Sequence, residues 1–271
     1  TLVNPGGPFQ LDGDFDNGII FHEYAHGISN RLTGGPATAG CLFNTEQMGE
    51  GWSDYFSLIL TMEAGDLGPD GRGIGTFALN QPTTGAGIRP ARYSTDLGVN
   101  AYTYGDIGSL SIPHGVGFVW ATMLWEMTWG LIDAHGFDPD LYNNPNSGNA
   151  IALSLVMEGM KLQPCSPGFV DGRDAILAAD QALYNGANQC IIWEAFAKRG
   201  LGVNASQGSS SSVNDGVEDF TPNNNACCPA PQANCLDVTI SLGENGVTNI
   251  DPAILLDPTA SNCGTLNVDV S

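Results

Sequence analysis

The spacing of apolar positions predicts a mainly α chain. Ile19, Ile20, Tyr24 and Ile28 mark the apolar side of a helix that begins near Asp16 or Asn17, either of which can cap it, and that Gly34, Gly35 and Pro36 end. Trp52, Phe56, Ile59 and Leu60 recur at helical spacing within a second helix from about Thr45 to Ala64. A nearly continuous apolar run predicts a third, buried helix from about Pro113 to His135. Further helices are expected over about 149–162, 168–184 and 191–199, with Gly200 and Gly202 stopping the last. Residues 1–18 read as loop. Residues 65–112, rich in Gly, Pro, Thr and Tyr, read as a long functional loop region with short strands at most.

The pattern changes late in the chain. Gln207–Val213 is serine-rich and reads as a flexible loop or linker. From Cys235 to Leu256 apolar and polar residues alternate around Glu244-Asn245-Gly246, a hairpin signal. The expected organisation is a helical domain over 1–203, a Ser/Asn-rich linker or closing segment over 204–226, and a partial β-module over 227–271.

Composition narrows the partners. The chain has 271 residues, 42% of them hydrophobic, enough for a real core. Its formal charge is −21, which disfavours nucleic acid and anionic lipid as partners. No apolar run reaches the roughly 18 residues of a membrane span. The chain opens on Thr1 in a polar stretch without a signal-peptide pattern, and reads as a mature or excised piece of something longer. Of seven cysteines, four (Cys227, Cys228, Cys235 and Cys263) crowd the tail, which has no histidine; disulfides, and hence an oxidising, extracellular setting, are the simpler account.

The chemistry concentrates in His22-Glu23-Tyr24-Ala25-His26, an H-E-x-x-H motif on the first helix. Histidines at i and i+4 lie on one helix face, so both imidazoles can reach one zinc ion, and Glu23 falls beside them to take a proton from water at the metal. A catalytic zinc needs a third protein ligand. Glu50, in "MGEGWSDY", is the candidate, and Asp54, four residues on, can orient a ligand histidine by accepting its second ring N–H. His114 at the start of the third helix is a candidate donor to an oxyanion. His135, at a helix end, reads as structural. Asp12, Asp14 and Asp16 alternate; this suits either a calcium loop or caps before a helix, and both readings stay open.

The segments "DGDFDNGIIFHEYAHGISNRLTGGP", "MGEGWSDY", "HGVGFVWATMLWE", "LVMEGMKLQPCSPGFVDGRDAILAAD" and "CIIWEAFAKRGLG" closely resemble the fungalysin family, secreted metallopeptidases related to thermolysin within the gluzincins. The resemblance runs from Asp12 to Gly202. It implies a thermolysin-like, α-helical C-terminal catalytic subdomain. It implies one zinc on His22, His26 and Glu50, Glu23 as base, Asp54 behind a ligand histidine and His114 as the transition-state histidine. A tyrosine usually assists that histidine; Tyr104 is the candidate here. The resemblance also favours a Cys165–Cys190 disulfide, and protein or peptide substrates. Family members carry a β-rich subdomain before this helix, so a separate N-terminal β-subdomain chain is one expected partner. The tail loosely resembles β-modules of secreted Bacteroidetes proteins. The competing expectation is a zinc-stabilised scaffold or adhesion protein; the intact Glu23 favours the peptidase, since a structural zinc needs no base.

Overall fold

The computed structural model describes residues 11–227 together with Asn245. The chain divides into two units, Thr1–Asn223 and Asn224–Ser271. Within the first, the helices are α1 (Asn17–Leu32), α2 (Gly49–Ile59), α3 (His114–His135), α4 (Gly148–Leu162), α5 (Phe169–Tyr184) and α6 (Gln189–Lys198), with 3-10 turns at Gly13–Phe15 and Tyr104–Ser109. The second unit contributes one helical turn, α7 (Asn224–Cys227). The β-module expected over 227–271 otherwise lies outside the described residues. Among the described residues β-pairing is confined to isolated bridges, and no helix is long and apolar enough to cross a membrane.

The helix α3 is the centre of the first unit. It packs against α2, α4 and α6. Val116, Phe118, Val119, Trp120, Met123 and Leu124 are all fully buried, as a helix that is apolar on every side requires. The second helix is shorter than the predicted Thr45–Ala64. Leu60 caps it, and the Glu63–Asp66 turn, closed by Asp66 accepting from the Glu63 N–H, leads away. Where α2 crosses α3 the backbones nearly touch: a Cβ on Gly51 would lie 2.3 Å from the Gly117 carbonyl oxygen, and one on Gly117 2.6 Å from Glu50 Cβ. Only glycine fits at both positions. That contact sets Glu50 and His114, one residue before Gly51 and three before Gly117, side by side.

The long loop between α2 and α3 is held by polar contacts rather than by regular elements. Arg72 and Tyr93 form an antiparallel bridge (2.8 and 2.9 Å), and the Arg72 guanidinium donates to Asp66 and Thr61. Gly87 sits at φ 67, with Ile74 backbone where a Cβ would go. The serine-rich stretch read above as flexible is tied down: Glu46 and Asn44 donate to the Ser210 carbonyl, and Gln207 exchanges hydrogen bonds with Asp171.

Cys165 bonds to Cys41, not to Cys190 as the resemblance suggested, across 124 residues of sequence. The loop after α1 is brought onto the α4–α5 turn, where Ser166 also donates to the Cys41 carbonyl and Gln163 to Thr33. Cys190 is disulfide-bonded as well, with another partner.

Candidate metal centre

The first helix starts where the Asp16 carboxylate accepts from the N–H groups of Gly18 (2.9 Å) and Ile19 (3.2 Å), a side-chain N-cap. Its second oxygen accepts from Ala78. Asp12 likewise caps the preceding turn through the Asp14 N–H. The carboxylates of Asp12 and Asp16 are thus engaged in backbone capping, and Asp14 contributes its N–H to the first of these caps; the three do not form a cluster of converging ligand atoms among the described residues. The capping reading is supported for Asp12 and Asp16.

One turn into α1, His22 and His26 stack edge to face, with their Nε2 atoms 3.2 Å apart. From α2, Glu50 brings Oε2 to 3.2 Å from His22 Nε2 and Oε1 to 3.7 Å from His26 Nε2. The ligand atoms of His22, His26 and Glu50 lie within 4.8 Å of one another. Two imidazole nitrogens and one carboxylate meeting at one point, with a side left open, is the donor set of a catalytic zinc. The other His22 nitrogen, Nδ1, is bound to Asp54 Oδ1 at 2.8 Å, which points Nε2 at the shared point. His114 Nε2 lies 3.5 Å from Glu50 Oε1 and is largely exposed. Glu23 is exposed on the open face of α1, and among the described residues no hydrogen bond engages its carboxylate. His135 is far along α3 and bonds to Asn188.

Tyr104 is not at this site. Its ring is 2% exposed and its hydroxyl donates to Glu46 at 2.8 Å, turned into the protein against Phe169. An exposed, Gly-rich neighbourhood in sequence said nothing of that direction. The tertiary structure instead supplies Arg89 and Tyr93. Arg89 grips Asp54 through Nε (2.6 Å) and Nη2 (2.8 Å), and Nη2 reaches Glu50 Oε2 at 3.3 Å. The Tyr93 hydroxyl donates to Asp54 Oδ2 at 2.5 Å. Sequence reasoning missed both. The available signal was charge: with only eight lysines and arginines in the chain, a buried aspartate on α2 had few cations to choose from.

The electrostatics follow from this clamp. Burial pushes the Asp54 carboxyl up, but the hydrogen bonds from His22 and Arg89 outweigh it and hold its pKa at about 2. Burial lowers His22, yet its bonds to Asp54 and Glu50 raise it to about 9 in the metal-free chain. Burial and the neighbouring His22 charge push His26 below the usual histidine value. Glu50 is raised by burial and lowered more strongly by His22, so it stays below the usual carboxylate value. The cluster is thus set to keep both carboxylates charged.

Residues 7–205 match the model of the fungalysin metallopeptidases (M36). The chain is 50% identical over 205 residues to extracellular metalloproteinase 4 of Trichophyton tonsurans, covering 72% of this chain and 31% of that protein. It is 50% identical over 201 residues to extracellular metalloproteinase 3 of Arthroderma otae, with the same coverage. To extracellular metalloproteinase mep of Aspergillus fumigatus it is 49% identical over 209 residues, covering 74% of this chain and 32% of that protein. The chain spans about a third of the length of the curated relatives it matches. In those relatives the matched segment is part of one longer polypeptide, which gives no support to a separate N-terminal β-subdomain chain. With most of its length matched by the family model and its histidine–glutamate cluster assembled as such chemistry needs, the chain belongs to the fungalysin family of zinc-dependent metallopeptidases.

Proposed function

We propose that this chain is the helical catalytic part of a secreted, zinc-dependent endopeptidase acting on proteins or large peptides. The observation that carries the reading is the convergence of His22 Nε2, His26 Nε2 and the Glu50 carboxylate on one point, beside a Glu23 whose carboxylate is free. The relatives are named extracellular metalloproteinases, and the Cys41–Cys165 disulfide suits an oxidising compartment.

His22, His26 and Glu50 are the proposed zinc ligands. A zinc ion bound by these residues would supply Lewis-acid chemistry, lowering the pKa of a bound water to about 7 and polarising the scissile carbonyl. The protein's own residues do the rest. Glu23 takes the proton from the attacking water and passes it to the leaving amine, which needs the exposed, unengaged carboxylate found on α1. His114, on the open side, donates a hydrogen bond to the carbonyl oxygen as charge builds there. Asp54, gripped by Arg89 and Tyr93, fixes which His22 nitrogen carries hydrogen, leaving Nε2 as a lone-pair donor.

The proposed organisation keeps a helical catalytic domain over 1–203 followed by a closing segment. A β-module after Cys227 is the reading of the sequence pattern alone.

Zinc content and casein cleavage, compared between this chain and Glu23→Gln, test the proposal. Both proteins are expected to hold about one zinc, with cleavage falling by about 10²–10⁴-fold in the variant. Cleavage that survives the substitution, or a parent that takes up no zinc, would overturn it.

A further inference from the structure

Glu46 lies four residues before Glu50 and takes no part in the metal site. Its side chain is completely buried. One oxygen, Oε1, accepts from the Tyr104 hydroxyl at 2.8 Å and from the Phe169 N–H at 3.1 Å. The other, Oε2, is buried and has no hydrogen-bond partner. A carboxylate spreads its charge over both oxygens, and a charged, bare, buried acceptor is costly. A neutral carboxyl matches the surroundings better: its carbonyl oxygen takes the two donors and its hydroxyl puts a hydrogen on Oε2.

The neighbours fit that assignment. A Cβ on Gly168 would lie 2.7 Å from Glu46 Oε2 and 2.6 Å from Gln207 Oε1, so two acceptor oxygens face the same small space. The charged groups facing Glu46 are acids: Asp171 on α5 and Asp215 in the segment after α6. The 3-10 turn offers only the neutral Tyr104 hydroxyl. Burial, reinforced by those two aspartates and opposed by the Tyr104 and Phe169 hydrogen bonds, raises the carboxyl to about 7.

The position gives this proton a mechanical role. The Glu46 N–H donates to the Ser210 carbonyl, and Asn44 donates to the carbonyls of Pro167 and Ser210. Four segments therefore meet at Glu46: the lead into α2, the 3-10 turn ahead of His114, the start of α5, and the stretch around Ser210.

We propose that Glu46 is a proton-operated latch, whose neutral form locks these four segments together and whose ionisation loosens the joint behind the catalytic helices. A carboxyl that binds its proton more tightly in the folded chain than in the unfolded one confers stability at low pH, and loses it as the pH rises from about 4.5 through about 7. The latch is closed in mildly acidic surroundings and strained in alkaline ones.

The test is thermal unfolding of the zinc-loaded chain at pH 5.5 and 8.5, for the parent and for Glu46→Gln. Glutamine keeps a carbonyl for Tyr104 and Phe169 and places an N–H where the proton sits. The parent is expected to lose several degrees more than the variant between the two conditions, and the variant to be the more stable protein at pH 8.5. Equal losses in both proteins would sink the idea, and so would a glutamine variant that fails to fold, because the neutral isostere must be accommodated. Tyr104→Phe gives a second reading. It removes a donor that favours the carboxylate, so the pH at which stability falls should move upward; an unmoved midpoint counts against the latch.

Discussion

Two clusters of buried charge sit along the same central helix, and they differ in what they leave over. At the middle of α3, Glu126 is held by Arg199 and Lys198. Arg199 spends its remaining donors on the carbonyls of Asn100, Tyr102 and Ser94, and Lys198 spends another on Thr95. Every strong donor there has an acceptor, and the result is a rivet joining α3, α6 and the loop around residue 100. Around the start of that helix, Asp54, Arg89 and Tyr93 are equally saturated, whereas the potential ligand atoms of His22, His26 and Glu50 face one another, all within 4.8 Å. Saturation marks scaffold. Potential ligand atoms of three residues that converge on one point mark a place for a cation.

Substitutions can break that contrast. Glu50→Ala is expected to have the largest effect: zinc content should fall from about one per chain to near none, and cleavage with it, while the fold persists. A chain that keeps its zinc would mean the ion is not held here. Arg199→Met should cost about 3–5 kcal/mol of stability by leaving Glu126 buried and poorly paired. Denaturation should report it, with zinc affinity of the folded fraction unchanged; a zinc defect would show that the rivet and the site are one unit. Asp54→Asn should weaken zinc binding by about 10–100-fold, measured by competition with a chelator. Binding as tight as in the parent would reduce Asp54 to a structural partner of Arg89. Tyr104→Phe should be the mildest, about 1 kcal/mol of stability for one hydrogen bond, with cleavage retained. A large loss of cleavage would restore Tyr104 to the catalytic group.

The parts of the site that could be read in the sequence are those whose geometry is local. His22 and His26 share a face because they are four apart on a helix, and Glu50 and Asp54 do so on α2 for the same reason. The long apolar run of α3 announced its burial on every side. The same reasoning failed at Tyr104, since proximity to His114 in sequence carries no information about which way a side chain in a 3-10 turn points. The pairing of Cys165 that the resemblance favoured was also wrong, and the sequence offered no correction, because a disulfide partner 124 residues away leaves no local trace. Arg89 and Tyr93 were invisible for a related reason: they lie in a stretch without periodicity, whose path is set by the Arg72–Tyr93 bridge and the turn at Gly87.

The sequence by itself determined the presence of the helices, the two pairs of candidate site residues at helical spacing and the excess of acids over bases, because each depends on neighbours a few positions apart or on simple sums. Only the tertiary structure decided that α1 and α2 face each other, that Gly51 and Gly117 let α2 and α3 close until Glu50 meets His22, His26 and His114, and that Arg89 and Tyr93 lock Asp54 in place. Those are contacts between distant residues, made where a missing Cβ or a buried charge permits only one close arrangement.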